Sequence, residues 1–240
     1  MKLDILVIAA HPDDAELSCA GTIFSEIAQG KKVGIVDLTQ GELGTRGSAE
    51  IRKQEAAEAS RIMNLTIREN LQLRDGFFAN DEQHQLEVIK AIRKYQPDIV
   101  LTNAIKDRHP DHAKAASLVE TSCFLSGLKR IETTLNGQVQ AAWRPKNVFH
   151  FIQSDYIEPD FIVDISAFWE NKLQAIRAYK TQFHITPQSS QGEQTFISTP
   201  EFMHFLEGRA REFGQAIRVK YGEGFTSSKK IGVKTLFDVL

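Results

Sequence analysis

Apolar and polar positions along the chain fall into two alternating periods. Asp4–Ala9 is a short run rich in Ile, Leu and Val, the pattern of a buried strand. From Ala15 to Gln29 the apolar positions move to Leu17, Ala20, Ile23, Phe24 and Ile27, a helical spacing that Gly30 ends. Lys32–Leu38 reads as a second strand. Strand, helix and strand in that order predict a right-handed crossover and a parallel sheet. The same reading continues with a helix over Ala49–Met63 capped by Ser48, and a short strand near Thr66–Leu71. Asn80-Asp-Glu-Gln83 has the form of a capping box opening a helix to Tyr95, and Pro97 breaks it. A strand over Ile99–Thr102 and a helix from about Ala113 to Ser126 close this half. Residues 127–146 show no steady period and read as an irregular excursion. Strands follow at Val148–Gln153 and Phe161–Asp164, then a helix to Tyr179 with Ser166 as its cap. Thr199-Pro200-Glu201 starts a last helix reaching Tyr221, where Gly222 and Gly224 stop it. Thr186–Gln194, polar and rich in Gln and Ser, has the composition of a mobile segment.

The predicted architecture is α/β with a mostly parallel central sheet, and 240 residues suffice for one large domain over residues 1–240. A net charge of −2 gives no support for nucleic acid or a membrane surface as partner. The opening Met-Lys-Leu-Asp enters the first strand without the features of a signal peptide, and no apolar stretch is long enough to cross a bilayer. Cys19 and Cys123 sit within helical patterns and read as buried thiols, a disulfide being the alternative. A cytoplasmic location is expected.

Chemistry enters where two strands end. The first strand delivers His11, Asp13 and Asp14 around a stiff Pro12, and the strand at Ile99–Thr102 leads into His109, Asp111 and His112. Loops at the carboxyl ends of parallel strands form the ligand crevice, so the two clusters are expected to meet there. A hydrolytic zinc takes about three nitrogen and oxygen ligands and keeps one position for water, which two histidines and one aspartate would satisfy. The remaining groups would then act as base, acid and orienting residue. Spacing leaves open whether Asp13 or Asp14 binds the metal. The glycine-rich loop Thr39–Ser48 and the His-Pro-Asp-Asp turn lack the dinucleotide fingerprint, which argues against a nicotinamide cofactor. His84, His150, His184 and His204 are assigned ordinary surface or core roles.

Ala10-His-Pro-Asp-Asp14 with Glu16, followed by Arg108-His-Pro-Asp-His112, resembles the zinc-dependent N-acetylglucosaminyl deacetylases of the PIG-L/LmbE-like family. The likeness extends to Thr39–Arg52 and to Gly214–Phe225, ending in Tyr-Gly-Glu-Gly-Phe. It looks closest to the branch that deacetylates N-acetylglucosaminyl-malate in bacillithiol biosynthesis. The resemblance implies a Rossmann-like three-layer fold and one zinc per chain on His11, Asp14 and His112, other divalent metals accepting the same ligands. It implies Asp13 as general base, His109 as oxyanion stabiliser and acid, and Asp111 as the residue orienting His109. It makes Arg52 a substrate-binding candidate, and Arg46 and Arg144 two more. Arg52 has an equal claim to being a helix-surface residue paired with Glu55 or Glu58. The resemblance further implies a small N-acetylated sugar conjugate as substrate and homo-oligomers, hexamers among them. A thiol-conjugate amidase, a deacetylase of another sugar and a non-catalytic sugar-binding module stand as the alternatives.

Overall fold

A computed structural model describes residues 1–183 and 193–239 of the chain. His184 and most of the polar stretch Thr186–Gln194 lie outside the described residues. The first half runs β1 (Ile5–Ala9), α1 (Asp14–Ala28), β2 (Val33–Thr39), α2 (Ala49–Met63), β3 (Ile67–Leu73), α3 (Glu82–Tyr95), β4 (Ile99–Thr102) and α4 (Pro110–Leu125). The second half adds β5 (Thr134–Leu135), β6 (Gln138–Val139), β7 (Asn147–Phe151), β8 (Phe161–Asp164), α5 (Trp169–Arg177), α6 (Pro200–Ala216) and β9 (Gly222–Ser227).

Seven strands form one sheet in the order β3-β2-β1-β4-β7-β9-β8. The first five are parallel, and β9 runs antiparallel to both its neighbours. Side chains alternate across the pleat, so each strand feeds two cores. Leu6, Ile8, Val36 and Val100 pack with Val88, Ile92, Leu118 and Val119 of α3 and α4. Val7, Ile35, Leu101 and Phe151 pack on the other side with Ala15, Ala20, Ile23 and Ala175 of α1 and α5. Helices on both faces of a mostly parallel sheet make the three layers that the sequence predicts.

Local departures have identifiable causes. The cap of α3 is Asp81, which accepts from the His84 N–H at 3.0 Å, while Asn80 donates to Ser117 and Thr121 of α4. An ionised carboxylate at that end also meets the positive pole of the helix dipole. Residues 127–146 are not wholly irregular: β5 and β6 pair as a hairpin across Asn136-Gly137, both at positive φ as a tight hairpin turn demands. Ser166 begins a short 3-10 turn instead of capping α5, and its hydroxyl accepts from the N–H of Lys220 and Tyr221.

The largest departure is β9. Its glycines stop no helix, because α6 ends earlier, at Ala216. They permit close approach instead: a Cβ on Gly222 would lie 2.6 Å from Ile162 Cγ2, and one on Gly224 would lie 2.9 Å from Phe213 Cε2. Helix α1 also departs from regularity, with non-helical dihedrals at Cys19 (φ −139°, ψ 16°). Cys19 and Cys123 are free and buried. Among the described residues no helix is long and apolar enough to cross a membrane.

Candidate active site

Strands β1 and β4 are hydrogen-bonded neighbours with Ile8 opposite Thr102, so the turns that follow them emerge side by side. These turns bring His11, Asp13 and Asp14 together with His109, Asp111 and His112 on the wall of a cavity of about 430 Å³. Asp13 is the cap residue of α1 at φ 113° and ψ −23°, a backbone conformation that few non-glycine residues hold without strain. Pro110 opens α4, with His109 as its cap.

Asp14 sits between two imidazoles. Its Oδ1 lies 3.1 Å from His112 Nε2 and its Oδ2 lies 3.5 Å from His11 Nδ1. Carboxylates stand behind both rings. His11 Nε2–H donates to Asp75 at 3.0 Å, with Asp111 at 3.5 Å, and His112 Nδ1–H donates to Asp107 at 2.5 Å. These contacts fix the tautomers so that His11 Nδ1 and His112 Nε2 face Asp14, the arrangement that orients metal-ligating histidines. Asn103 and Gln153 donate to the two oxygens of Asp14 at 3.0 and 2.9 Å. His11, His109 and His112 also each offer a nitrogen within 4.8 Å of one another. The donor set suits a divalent metal.

Charge in the cluster supports that fit. Against burial, His112 and His11 hold the Asp14 carboxyl well below its usual range. Burial notwithstanding, Asp14 and Asp107 raise His112 to about 9, and Asp111, Asp14 and Asp75 raise His11 well above its ordinary value. A dication bound there would supply the positive charge that the Asp14, Asp75, Asp107 and Asp111 carboxylates call for. His109 goes the other way, lowered by burial and by the two neighbouring imidazoles. Burial pushes Asp13 up to about 7, with Arg52 opposing.

Several expected residues land elsewhere or engage differently. Arg52 is buried, 7% exposed, and turns inward, with Nη1 3.8 Å from Asp13. Glu55 is taken by Thr181 and Glu58 by Arg61, so the helix-surface pairing fails. Arg46 lines the cavity and donates from Nε to the Thr181 carbonyl at 2.8 Å. Arg144 does not line it. Its guanidinium stacks on Phe124 at 4.3 Å and donates to the Phe124 carbonyl at 2.9 Å. Phe124 belongs to the last turn of α4, and at 1.5 Å rise per residue that is roughly 20 Å from Asp111 in the first turn. The carboxylate of Asp111 is turned to Gly76, Lys114 and His11, and its contact with His109 runs from its backbone N–H to Nδ1 at 3.2 Å. His84 pairs with Asp81, His150 Nδ1–H donates to the Asn103 carbonyl, and His204 is exposed.

Sequence reasoning missed Asp75, Asp107, Asn103 and Gln153. Three of them follow the ends of β3, β4 and β7, the carboxyl edge already singled out, and Asn103 directly follows Thr102. Arg108 was quoted only as part of a motif, yet it lines the cavity and stacks on Phe196 at 4.6 Å.

The family model described as PIG-L, GlcNAc-PI de-N-acetylase, matches residues 6–123. Over 98% of both chains the fold superposes on the conserved protein TT1542 from Thermus thermophilus, with a TM-score of 0.84 and 35% identity. The chain is 28% identical to a diacetylchitobiose deacetylase of Thermococcus kodakarensis, covering 75% of this chain and 70% of the relative. It is 25% identical to a 4-oxalmesaconate hydratase of Pseudomonas putida, covering 75% and 74%. A 1D-myo-inositol 2-acetamido-2-deoxy-alpha-D-glucopyranoside deacetylase of Saccharomonospora viridis is 27% identical, covering 85% and 95%.

Proposed function

Because this chain belongs to the PIG-L family and carries a metal-capable His–Asp cluster, we propose that it removes the acetyl group from an N-acetylglucosaminyl conjugate. The observation that carries this reading is the position of Asp14 between His11 Nδ1 and His112 Nε2, each ring braced by a carboxylate. His11, Asp14 and His112 hold the metal, with zinc as the expected ion. Such an ion, when bound, polarises the amide carbonyl and lowers the pKa of water toward about 7.

The chain's own residues do the rest. Asp13, buried beside Asp14, takes the proton of the attacking water. Arg52 neutralises Asp13 from 3.8 Å and keeps it from drifting further toward the protonated form. His109 accepts the Asp111 N–H at Nδ1, so its proton resides on Nε2, from which the neutral ring hydrogen-bonds the developing oxyanion, while the proton that Asp13 takes from water is handed on to the departing amine. Asp111 orients His109 through its backbone, and its carboxylate braces His11. Acetate and a free amino sugar leave.

We assign the aglycone to the carboxylate class, N-acetylglucosaminyl-malate first among them, because Arg46, Arg52, Arg108 and Lys114 line the cavity beside the cluster. A planar guanidinium binds a carboxylate through two hydrogen bonds. The test is a panel of N-acetylglucosaminyl-malate, the inositol conjugate, diacetylchitobiose and a thiol-conjugate amide, read by free amine and acetate. The malate conjugate is expected to react at least about tenfold faster than the neutral ones, the worth of roughly 1.4 kcal/mol of charge-assisted binding. Equal rates would remove the aglycone assignment. Hydration of an unsaturated dicarboxylate without any acetate release would remove the deacetylase itself.

Asp107 offers a second check. Asp107→Asn keeps the shape and withdraws the charge behind His112, and metal affinity is expected to fall about 10–100-fold. Competition with a chromogenic chelator measures it, and an unchanged constant would take His112 off the list of ligands.

A further inference from the structure

The segment Tyr221-Gly-Glu-Gly-Phe225 takes no part in the chemistry above, yet its glutamate is among the most buried charges of the chain. Glu223 of β9 is 3% exposed. Its carboxylate accepts from the Gly21 N–H at 3.0 Å, from the Thr22 N–H at 2.7 Å and from the Thr22 hydroxyl at 2.7 Å. Lys172 of α5, equally buried, places Nζ 2.6 Å from the same group.

Gly21 and Thr22 lie just beyond Cys19, where α1 leaves helical dihedrals. In an unbroken helix their N–H groups would bond back to the carbonyls of Leu17 and Ser18. Glu223 therefore does for the second half of α1 what a cap side chain does at a helix start. Packing leaves it room to do so and little freedom to move. Gly222 and Gly224 let β9 lie against Ile162 and Phe213, and a Cβ on Gly21 would fall 2.7 Å from Ile165. An apolar pair of similar volume often stabilises a core as well as a buried ion pair does. What an apolar pair lacks is an acceptor for the Gly21 and Thr22 amides.

We infer that Glu223 is a positioning residue for the metal-binding turn: by capping the break at Cys19 it sets the direction of the first turn of α1, which carries Asp14. Lys172 neutralises the cap. The inference rests on the reading of His11, Asp14 and His112 as metal ligands.

Two variants separate capping from packing. Glu223→Asp keeps the charge and the Lys172 partner but withdraws the carboxylate by one methylene. Lys172→Met leaves both acceptor oxygens of Glu223 on Gly21 and Thr22 and removes only the charge that faces them. Metal affinity, read by chelator competition, is expected to fall about tenfold in the first and to stay within about threefold in the second. In the first variant kcat falls with KM unchanged. Amide exchange in the parent protein reads the cap without any metal, and Gly21 and Thr22 are expected to exchange as slowly as the buried turns of α1. Parent-like affinity in a folded Glu223→Asp protein, or equal losses in both variants, overturns the proposal. So does exchange at Gly21 and Thr22 at the rate of an open turn, and that measurement decides if a variant does not fold. A parent protein that binds no metal would overturn the ligand assignment instead, leaving the exchange result to judge the cap.

Discussion

Asp13→Asn is expected to lower kcat by about 10²–10⁴-fold while the protein keeps its metal, the usual contribution of a positioned general base. Asparagine is the informative replacement because the position has φ 113°, and Asn tolerates positive φ better than Ala does. It keeps the shape and loses only the ability to accept a proton. The residue is 5% exposed, and burial pushes its carboxyl up to about 7 against the pull of Arg52. A base with that pKa is protonated and idle in acid and becomes competent as pH rises through 7, so the rate climbs with pH there. A dication nearby draws the same limb toward lower pH. Asn has no such limb. A pH–rate profile with metal analysis on the same samples checks both points, and a variant as fast as the parent would end the assignment of Asp13.

Arg68→Met is expected to destabilise the fold by about 3–5 kcal/mol, because it strands two buried carboxylates at once. Arg68 donates to both oxygens of Asp37 at 2.8 and 2.9 Å and to Glu16, which also accepts from the Tyr179 hydroxyl at 3.1 Å. Glu16 is 0% and Asp37 2% exposed. For a chain of this size the loss corresponds to a Tm lower by about 10 °C. Its pH dependence has a definite sign. Even beside Arg68, burial raises the Asp37 carboxyl above its ordinary value. Without the arginine the folded-state pKa of Asp37 rises further, so its carboxyl is tolerated when protonated and stability is lost as pH rises. The gap in Tm between parent and variant should therefore be smaller at pH 5 than at pH 8. A gap that widens in acid would mean that the network is not what the arginine supports.

The half of the chain up to Ser126 was legible because each element there announces itself. The strands at Ile5, Val33 and Ile99 are apolar runs, and Ser48 and Pro97 bound helices in the ordinary way. His11 and Asp14 with His109 and His112 were legible as a group because two strand ends carry them. Strand β9 was not, since Gly222 and Gly224 signal a stop by propensity and reveal their use only against Ile162 and Phe213. Asp75 escaped for a related reason. Nothing in Arg74-Asp-Gly76 distinguishes a brace for His11 from an ordinary turn until β3 is paired with β2. Arg144 shows the converse failure, a residue placed by likeness whose own segment ends at the far end of α4.

The order of the sheet separates two kinds of information along the chain. Every histidine and carboxylate of the cluster lies between His11 and His112, whereas Gln153, Thr195, Phe196, Ile197 and Phe202 bring the later half of the sequence to the cavity wall. The proposed reactive groups and the cations beside them thus come from one early block, and the later block adds a largely apolar part of the wall. Substitutions at Phe196, Ile197 or Phe202 can therefore reshape that part of the wall while every hydrogen bond within the cluster stays in place.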